Sequence, residues 1–354
     1  MDPIIKSILE KGVRAPSGDN CQPWRFEVRS NEIKLYNLPE RDASLYSWGQ
    51  RPSYIAHGAW LENVFIAAAH YGRAVDYELF PDSTNPNLVA KLSLREGKNY
   101  SADLFEAIDK RATNRKPYKK EPLPEEIRQE ILETGAEIGE GEVRLAEEPD
   151  KIKALGRIAA VNEEILFHNR RLHEFFFDHI NWTKEEDEKR RLGFSVDTFE
   201  IPPPAKMMFK LARNWRTLQF MNKLGFAKLV AKQNSKTYGA AAAMGIITVP
   251  QNTPKDFLAA GRILERLWLK LTSRGLSLQP LTGIIFLNHR ITAGEGSEIS
   301  EKQKAIVLNA YNLLKSVFNI NNKIIAIMFR AGDGGLPTAR THRLDVKKWG
   351  QGGF

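Results

Sequence analysis

The 354-residue chain contains one cysteine, Cys21, so no intramolecular disulfide can form and a reducing compartment is the expectation. A lone thiol of this kind reads as a small buried hydrophobe rather than a nucleophile. No apolar run reaches the roughly 18 residues needed to cross a bilayer, and the first residues lack the succession of a secretory signal. A cytoplasmic location follows as an expectation. A Gly-rich dinucleotide fingerprint is also missing. Acidic residues are absent from 201 to 254, where Lys206, Lys210, Arg213, Arg216, Lys223, Lys228, Lys232 and Lys236 fall. Much of the formal charge of +9 therefore sits in one segment, which argues against a nucleic-acid partner.

What is present suits a globular α+β protein, with 42% hydrophobic residues to fill a core. Periodicity predicts a helix at 3–13, strands at 24–29 and 32–36, a long helix at about 54–72, and strands at 74–80 and 89–95. The pattern then restarts. HGAWLENVFIAAAHYG (57–72) lies on AAGRILERLWLKLTSRG (259–275) so that Gly58 meets Gly261, Leu61 meets Leu264, Glu62 meets Glu265 and Gly72 meets Gly275. Each closing glycine suits a left-handed helix end, and a strand-like run follows, AVDYELF in one copy and LSLQPLTGIIF in the other. VAKLSLREG (89–97) and IIAIMFRAGD (324–333) end the copies alike. An internal duplication is the reading, with halves at 1–100 and 101–354 and a helical insert at about 165–237. The Pro- and charge-rich stretch 116–126 marks a loop into a capped helix near the seam. In the insert, the apolar residues between Met207 and Val230 predict helices packed on the body with solvated lysines. A cover over an anionic ligand and a membrane-surface contact are the alternatives.

Three stretches carry chemistry. APSGDNCQPW (15–24) offers the Ser17 hydroxyl, exposed backbone at Gly18 and the Asn20 amide, a mixture suited to a polar heterocycle or sugar chain. RATNR places Arg111, Thr113 and Arg115 on one side of an extended segment, suited to a phosphate. PTARTHR again flanks a threonine with Arg340 and Arg343. Each alone also reads as a solvated loop or cap.

Together they resemble nitroreductase-like flavoproteins. The first stretch is similar to that family's P-S-x-x-N-x-Q-P-W signature, R111-x-T-x-R115 to its R-x-S-x-R/K motif, Gln279 to Gly283 to the turn against the flavin ring, and Arg343 to its last phosphate-binding arginine. The resemblance implies a nitroreductase-like fold of two fused copies forming a pseudo-dimer under a helical lid, with one complete FMN site. The first copy has the loop. Where the second copy should have one, it has only TGAEIGEGEV.

By the same resemblance Pro16, Ser17, Gly18, Asn20 and Gln22 line the isoalloxazine and ribityl chain, and Arg111, Thr113 and Arg343, with Arg340, hold the phosphate. Arg115 sits near N1 and O2. Pro280, Leu281, Thr282 and Gly283 form the turn, with the backbone of Thr282 or Gly283 facing N5. No catalytic side chain and no metal are implied, and His57 and His70 are structural. The expected activity is FMN-dependent hydride transfer from NAD(P)H, bound transiently on the flavin, to a small quinone or nitroaromatic acceptor. The alternative is an FMN-sequestering protein. One chain could hold its flavin as a monomer, with further self-association left open.

Overall fold

The structure is a computed structural model describing residues 1–139 and 141–346. Helix α1 (Pro3–Gly12) opens with Asp2, whose carboxylate accepts from the Ile4 N–H, and with Pro3 at the first position. After the Pro16–Asn20 loop, β1 (Trp24–Arg29) and β2 (Glu32–Asn37) form a hairpin, and α2 (Arg51–His70) crosses to β3 (Arg73–Leu79) and β4 (Leu88–Glu96). These strands make an antiparallel sheet in the order β1-β2-β4-β3.

A second module follows α3 (Phe105–Lys110) with α4 (Glu125–Ile138) and β5 (Glu142–Ala146). The chain then makes α5 (Pro149–His168), α6 (Arg170–Asp178), β6 (Ile180–Asn181), α7 (Lys184–Arg190), β7 (Phe194–Ser195), α8 (Pro203–Leu211), α9 (Trp215–Lys223) and α10 (Phe226–Tyr238). It continues with β8 (Ala243–Val249), α11 (Pro254–Ser273), β9 (Ser277–Pro280), α12 (Gly283–Thr292), α13 (Glu301–Val317) and β10 (Ile324–Gly332). The second sheet is antiparallel in the order β5-β8-β10-β9.

The two sheets thus share one topology, with α2 and α11 in the same place between the second and third strands. Both helices pass into a left-handed glycine, Gly72 at φ +70° and Gly275 at φ +73°. The modules differ in two strand connections: a loop joins β3 to β4 where α12 and α13 separate β9 from β10, and the link between the first two strands differs more. β1 and β2 are joined by a tight turn at Ser30 and Asn31, whereas the helices from α5 to α10 separate β5 from β8. The segment 165–237 expected as an insert lies inside that connection.

α2 packs on the first sheet, α11 on the second, and the two helices on each other. α2 is buried on every side from Pro52 to Ala69, with Ser53, His57, Glu62 and Asn63 among its buried side chains. The crossing is backbone on backbone. A Cβ at Gly58 would lie 1.9 Å from the Leu258 carbonyl oxygen, and one at Gly261 would lie 2.0 Å from that of Ile55. A glycine inside a helix costs about 1 kcal/mol relative to alanine, and here the close approach it permits offsets that.

One expectation is corrected. LSLQPLTGIIF is strand only as far as Pro280, because Gly283 starts a helix whose Ile284–Phe286 face is buried. The basic helices are packed only on one side: Phe209, Ala212, Leu218, Met221 and Ala227 are buried, but Met207, Met208, Leu211, Phe220, Leu224 and Leu229 face solvent. Among the described residues no helix is long and apolar enough to cross a membrane.

Gly58→Ala forces the two helix backbones apart and should lower stability by about 3 kcal/mol or more, read from urea unfolding. An unchanged midpoint would show that the crossing tolerates a side chain.

Candidate functional site

Three non-glycine residues of the 15–24 loop adopt left-handed backbone: Asp19 (φ 46°), Asn20 (φ 52°) and Gln22 (φ 48°). Such conformations cost about 1–3 kcal/mol each, less for Asn and Asp, and persist only where surroundings fix them. At Asn20 and Gln22 side-chain hydrogen bonds do so. Asn20 Nδ2 donates to the carbonyls of Gly193 and His342, both at 3.0 Å. Gln22 Nε2 donates to the Arg191 carbonyl at 2.7 Å, and its Oε1 accepts from Leu344 N at 3.0 Å. Ser17 Oγ accepts from Gln22 N at 3.0 Å. The loop is therefore clamped between the α7–β7 turn and the C-terminal arm. Pro16 is half-buried, and Gly18 is exposed with open space where a Cβ would stand.

At the N-terminal end of the loop, two guanidiniums from distant segments converge on consecutive carbonyls. Arg111 Nη2 donates to Arg14 O at 2.7 Å, while Arg343 Nε and Nη2 both lie 3.3 Å from Ala15 O. Arg111 is buried over the Trp268 ring, 4.5 Å from its centroid, and its Nε is 3.1 Å from Glu265 Oε1 on α11. That contact brings opposite charges together without the alignment of a hydrogen bond. Burial lowers the pKa of Arg111, and burial with the charges of Arg111 and Arg14 brings Arg343 down to about 9. Burial also raises Glu265, to about 7, against the pull of Arg111. Positive charge here exceeds negative.

The other end of the loop meets carboxyl and phenol groups. Arg115 donates to Thr198 O at 3.1 Å and sits over Phe194 and Phe199, 5.1 and 5.2 Å from the centroids. Burial raises Asp19, while the charges of His179 and Arg115 oppose it. Tyr46 Oη donates to Asn162 Oδ1 at 2.9 Å, and a Cβ on Gly283 would fall 2.1 Å from that same oxygen. Tyr238 Oη donates to Glu163 Oε1 at 2.6 Å, and burial raises Glu163 to about 7. Asp19, Tyr46, Arg115, Asn162, Glu163 and Tyr238 nevertheless keep partial accessibility.

The 279–283 turn reaches the same region. Gln279 Oε1 accepts from buried Arg330 Nε at 2.8 Å, and Arg330 Nη2 donates to Lys116 O at 2.8 Å. Thr113 bridges Leu278 as a parallel strand would. Pro280 pairs with Phe329, Leu281 N donates to Met328 O at 2.7 Å, and Thr282 precedes Gly283, the first residue of α12. An N–H at that position has no acceptor within its own helix.

The segments named from the sequence are thus brought together, with Arg340 at the exposed edge of the arginine group, where it donates to Asp109 O at 2.8 Å and its charge acts on Arg111. Cys21 is buried. His57 Nε2 is 3.0 Å from Asn37 Oδ1, and His70 stacks on Phe105 with centroids 3.6 Å apart, as structural histidines do. Sequence reasoning missed Arg14, Tyr46, Asn162, Glu163, Phe194, Phe199, Tyr238 and the role of Glu265. Only Glu265 carried a signal, its alignment with Glu62. Among the described residues no three His, Cys, Asp or Glu side chains are grouped to hold a metal.

No family model matches the chain. An uncharacterized protein of Mycobacterium tuberculosis, MT1398, is 23% identical over 286 residues, 80% of this chain and 39% of its own length. Putative NAD(P)H nitroreductases of the same organism, Rv3131 and acg, are 29% and 31% identical over 122 and 127 residues, 34% of this chain in each case and 36% and 37% of theirs. The matches span under two fifths of the length of these three relatives. Among solved structures, the FMN-dependent nitroreductase NfnB from Mycobacterium smegmatis in complex with NADPH is 12% identical with a TM-score of 0.41, covering 71% of this chain and 100% of that one. A nitroreductase-like family protein from Bacillus cereus is 12% identical at a TM-score of 0.38, covering 71% and 95%. Likeness at that level carries no argument about the site.

Glu163 titrates upward on folding, from 4.5 to about 7, so the folded chain holds the extra proton between those values and stability falls as pH rises through that window. Glu163→Gln should cancel on the order of 2 kcal/mol of that fall, measured by thermal melts from acid to neutral pH. An identical pH profile for both proteins would contradict the burial cost.

Proposed function

We propose that the chain is a nitroreductase-like flavoprotein that binds FMN between its two modules and transfers hydride from NAD(P)H to a small quinone or nitroaromatic acceptor. The observation that carries this reading is the convergence of the Arg111 and Arg343 guanidiniums on consecutive loop carbonyls, with Glu265 as the buried carboxylate beside them. Crowded, desolvated guanidiniums are stabilised by a dianion such as a phosphate monoester. The recurrence of nitroreductases among the sequence relatives supports the same reading.

The residues present fit FMN. Asn20 Oδ1 is a buried acceptor without a hydrogen-bond partner among the described residues, and open space adjoins Gly18. Arg111 and Arg343 would hold the phosphate with Thr113 and Ser17 beside them, while Asn20 and Gln22 would border the ribityl chain and ring. Arg115 would set positive charge against the ring, and the Gly283 N–H would point at it from the helix start. Arg340 would contribute charge from the rim only. Bound flavin would supply the hydride chemistry. Glu163, protonated up to about pH 7 and held by Tyr238, would keep a proton at the opposite end from the arginines. The hydrogen bonds from Asn20 and Gln22 to the α7–β7 turn tie the insert over the loop as a lid, which favours flavin retention as a second reading.

Arg343→Ala should weaken FMN binding by about tenfold or more, the loss of one charge-assisted phosphate contact, and riboflavin binding much less. The double variant Arg111→Ala/Glu265→Gln, which leaves no unpaired buried carboxylate, should do the same. Fluorescence titration with both ligands checks this, and equal losses for the two would move the arginines away from the phosphate. Anaerobic bleaching of the bound flavin by NADH or NADPH separates turnover from retention.

A further inference from the structure

We propose that α8, α9 and α10 form a docking surface for an anionic lipid bilayer. Among the described residues the large hydrophobic side chains that face solvent are concentrated here: Met207 (67% exposed), Met208 (43%), Leu211 (52%), Phe220 (64%), Leu224 (77%) and Leu229 (65%). The others, Met1, Tyr77, Leu313 and Leu336, are scattered along the chain. Single exposed apolar residues need no explanation, but six within 23 positions mark a contact surface.

The helices do not need these side chains to stay folded on the body. Phe209 on α8 packs against Phe176, Phe177, Trp182 and Phe199, with centroids 5.1–6.2 Å apart. His173 Nε2 contacts the Ala212 carbonyl at 2.8 Å, and its ring lies 5.1 Å from Trp215. Asn222 Nδ2 donates to Phe167 O at 2.8 Å, and α10 lies along α5. With the inner face anchored in this way, the outer apolar residues recur one turn apart, as Met207 with Leu211 and Phe220 with Leu224. Gly225, left-handed at φ +86°, then turns the chain so that Leu229 follows one turn into α10.

Charge selects the occupant. Lys210, Arg213, Arg216, Lys223, Lys228 and Lys232 are exposed among these residues, Lys206 is ion-paired with Asp197 at 2.6 Å, and no acidic residue occurs from 201 to 254. A second copy meeting this face with its own would set like charges against each other. A nucleic acid would use the cations, yet it offers little to five exposed Met and Leu side chains. An anionic bilayer satisfies both sets: headgroups take the lysines and arginines, and the acyl boundary takes the apolar residues. At 9, 9 and 13 residues, the helices would lie on the surface and not span it.

The test is sedimentation of the full chain with large vesicles, one set of phosphatidylcholine alone and one an equimolar mixture with phosphatidylserine. The chain should pellet with the mixed vesicles at low salt and stay in the supernatant with phosphatidylcholine. The partition should fall at least tenfold both for Phe220→Ser/Leu224→Ser and for Lys223→Gln/Lys228→Gln. Because these positions are exposed, all variants should keep the wild-type melting temperature. No pelleting, pelleting indifferent to Phe220→Ser/Leu224→Ser, or a dimer in light scattering that this variant dissolves would each overturn the proposal. Tight binding of duplex DNA in place of mixed vesicles would do so as well.

Discussion

The backbone contact between Gly58 and Gly261 sets the spacing on which the rest of the molecule depends. With no side chain at either position, α2 and α11 approach closely enough for each to cover the other, and each helix packs on the sheet of its own module. One turn further along, the aligned residues Glu62 and Glu265 are both fully buried. A buried carboxylate is costly unless a cation reaches it, so this crossing dictates where arginines must come from.

The two ends of the crossing meet that demand differently. Glu62 is satisfied within the helix pair: Arg262 lies 3.2 Å away and Arg266 2.7 Å, and Tyr100 Oη donates to both carboxylate oxygens at 2.7 and 2.8 Å. Glu265 receives Arg111 from the segment after α3, and that segment in turn meets the Arg14–Ala15 carbonyls and Arg343. The difference traces to loop length. Between α1 and β1 the chain has Val13 to Pro23 in which to form a long loop, whereas α4 ends at Ile138 and β5 begins at Glu142. The two similar modules are therefore unequal at this point, and the α7–β7 turn of the second accepts hydrogen bonds from Asn20 and Gln22 in the loop of the first.

Much of this was legible in the sequence because it rests on local signals. Gly72 and Gly275 end their helices as left-handed glycines should, the hairpin at Ser30 separates two alternating strands, and the Gly58/Gly261 alignment marks the crossing. The run after Leu276 misled because a short apolar stretch fits strand and buried helix alike, and the switch at Thr282 depends on packing beneath α12. Glu163 with Tyr238, Tyr46 with Asn162, and Arg115 against Phe194 and Phe199 are pairings across 75, 116 and about 80 positions, which no spacing rule connects. The packing of α8, α9 and α10 on the body was legible, but their outer apolar residues were not, because the density of apolar residues predicts helices without saying how many of their faces the body covers.

The central claim is that one flavin pocket is shared between two like modules of one chain. Saturating the full chain with FMN, removing the excess and comparing flavin absorbance with protein mass tests it most directly. About one FMN per chain is expected, because only the first module carries the loop. Two per chain would show that each module builds its own pocket, and none would show that Arg111 and Arg343 do not hold FMN; either result would overturn the shared pocket.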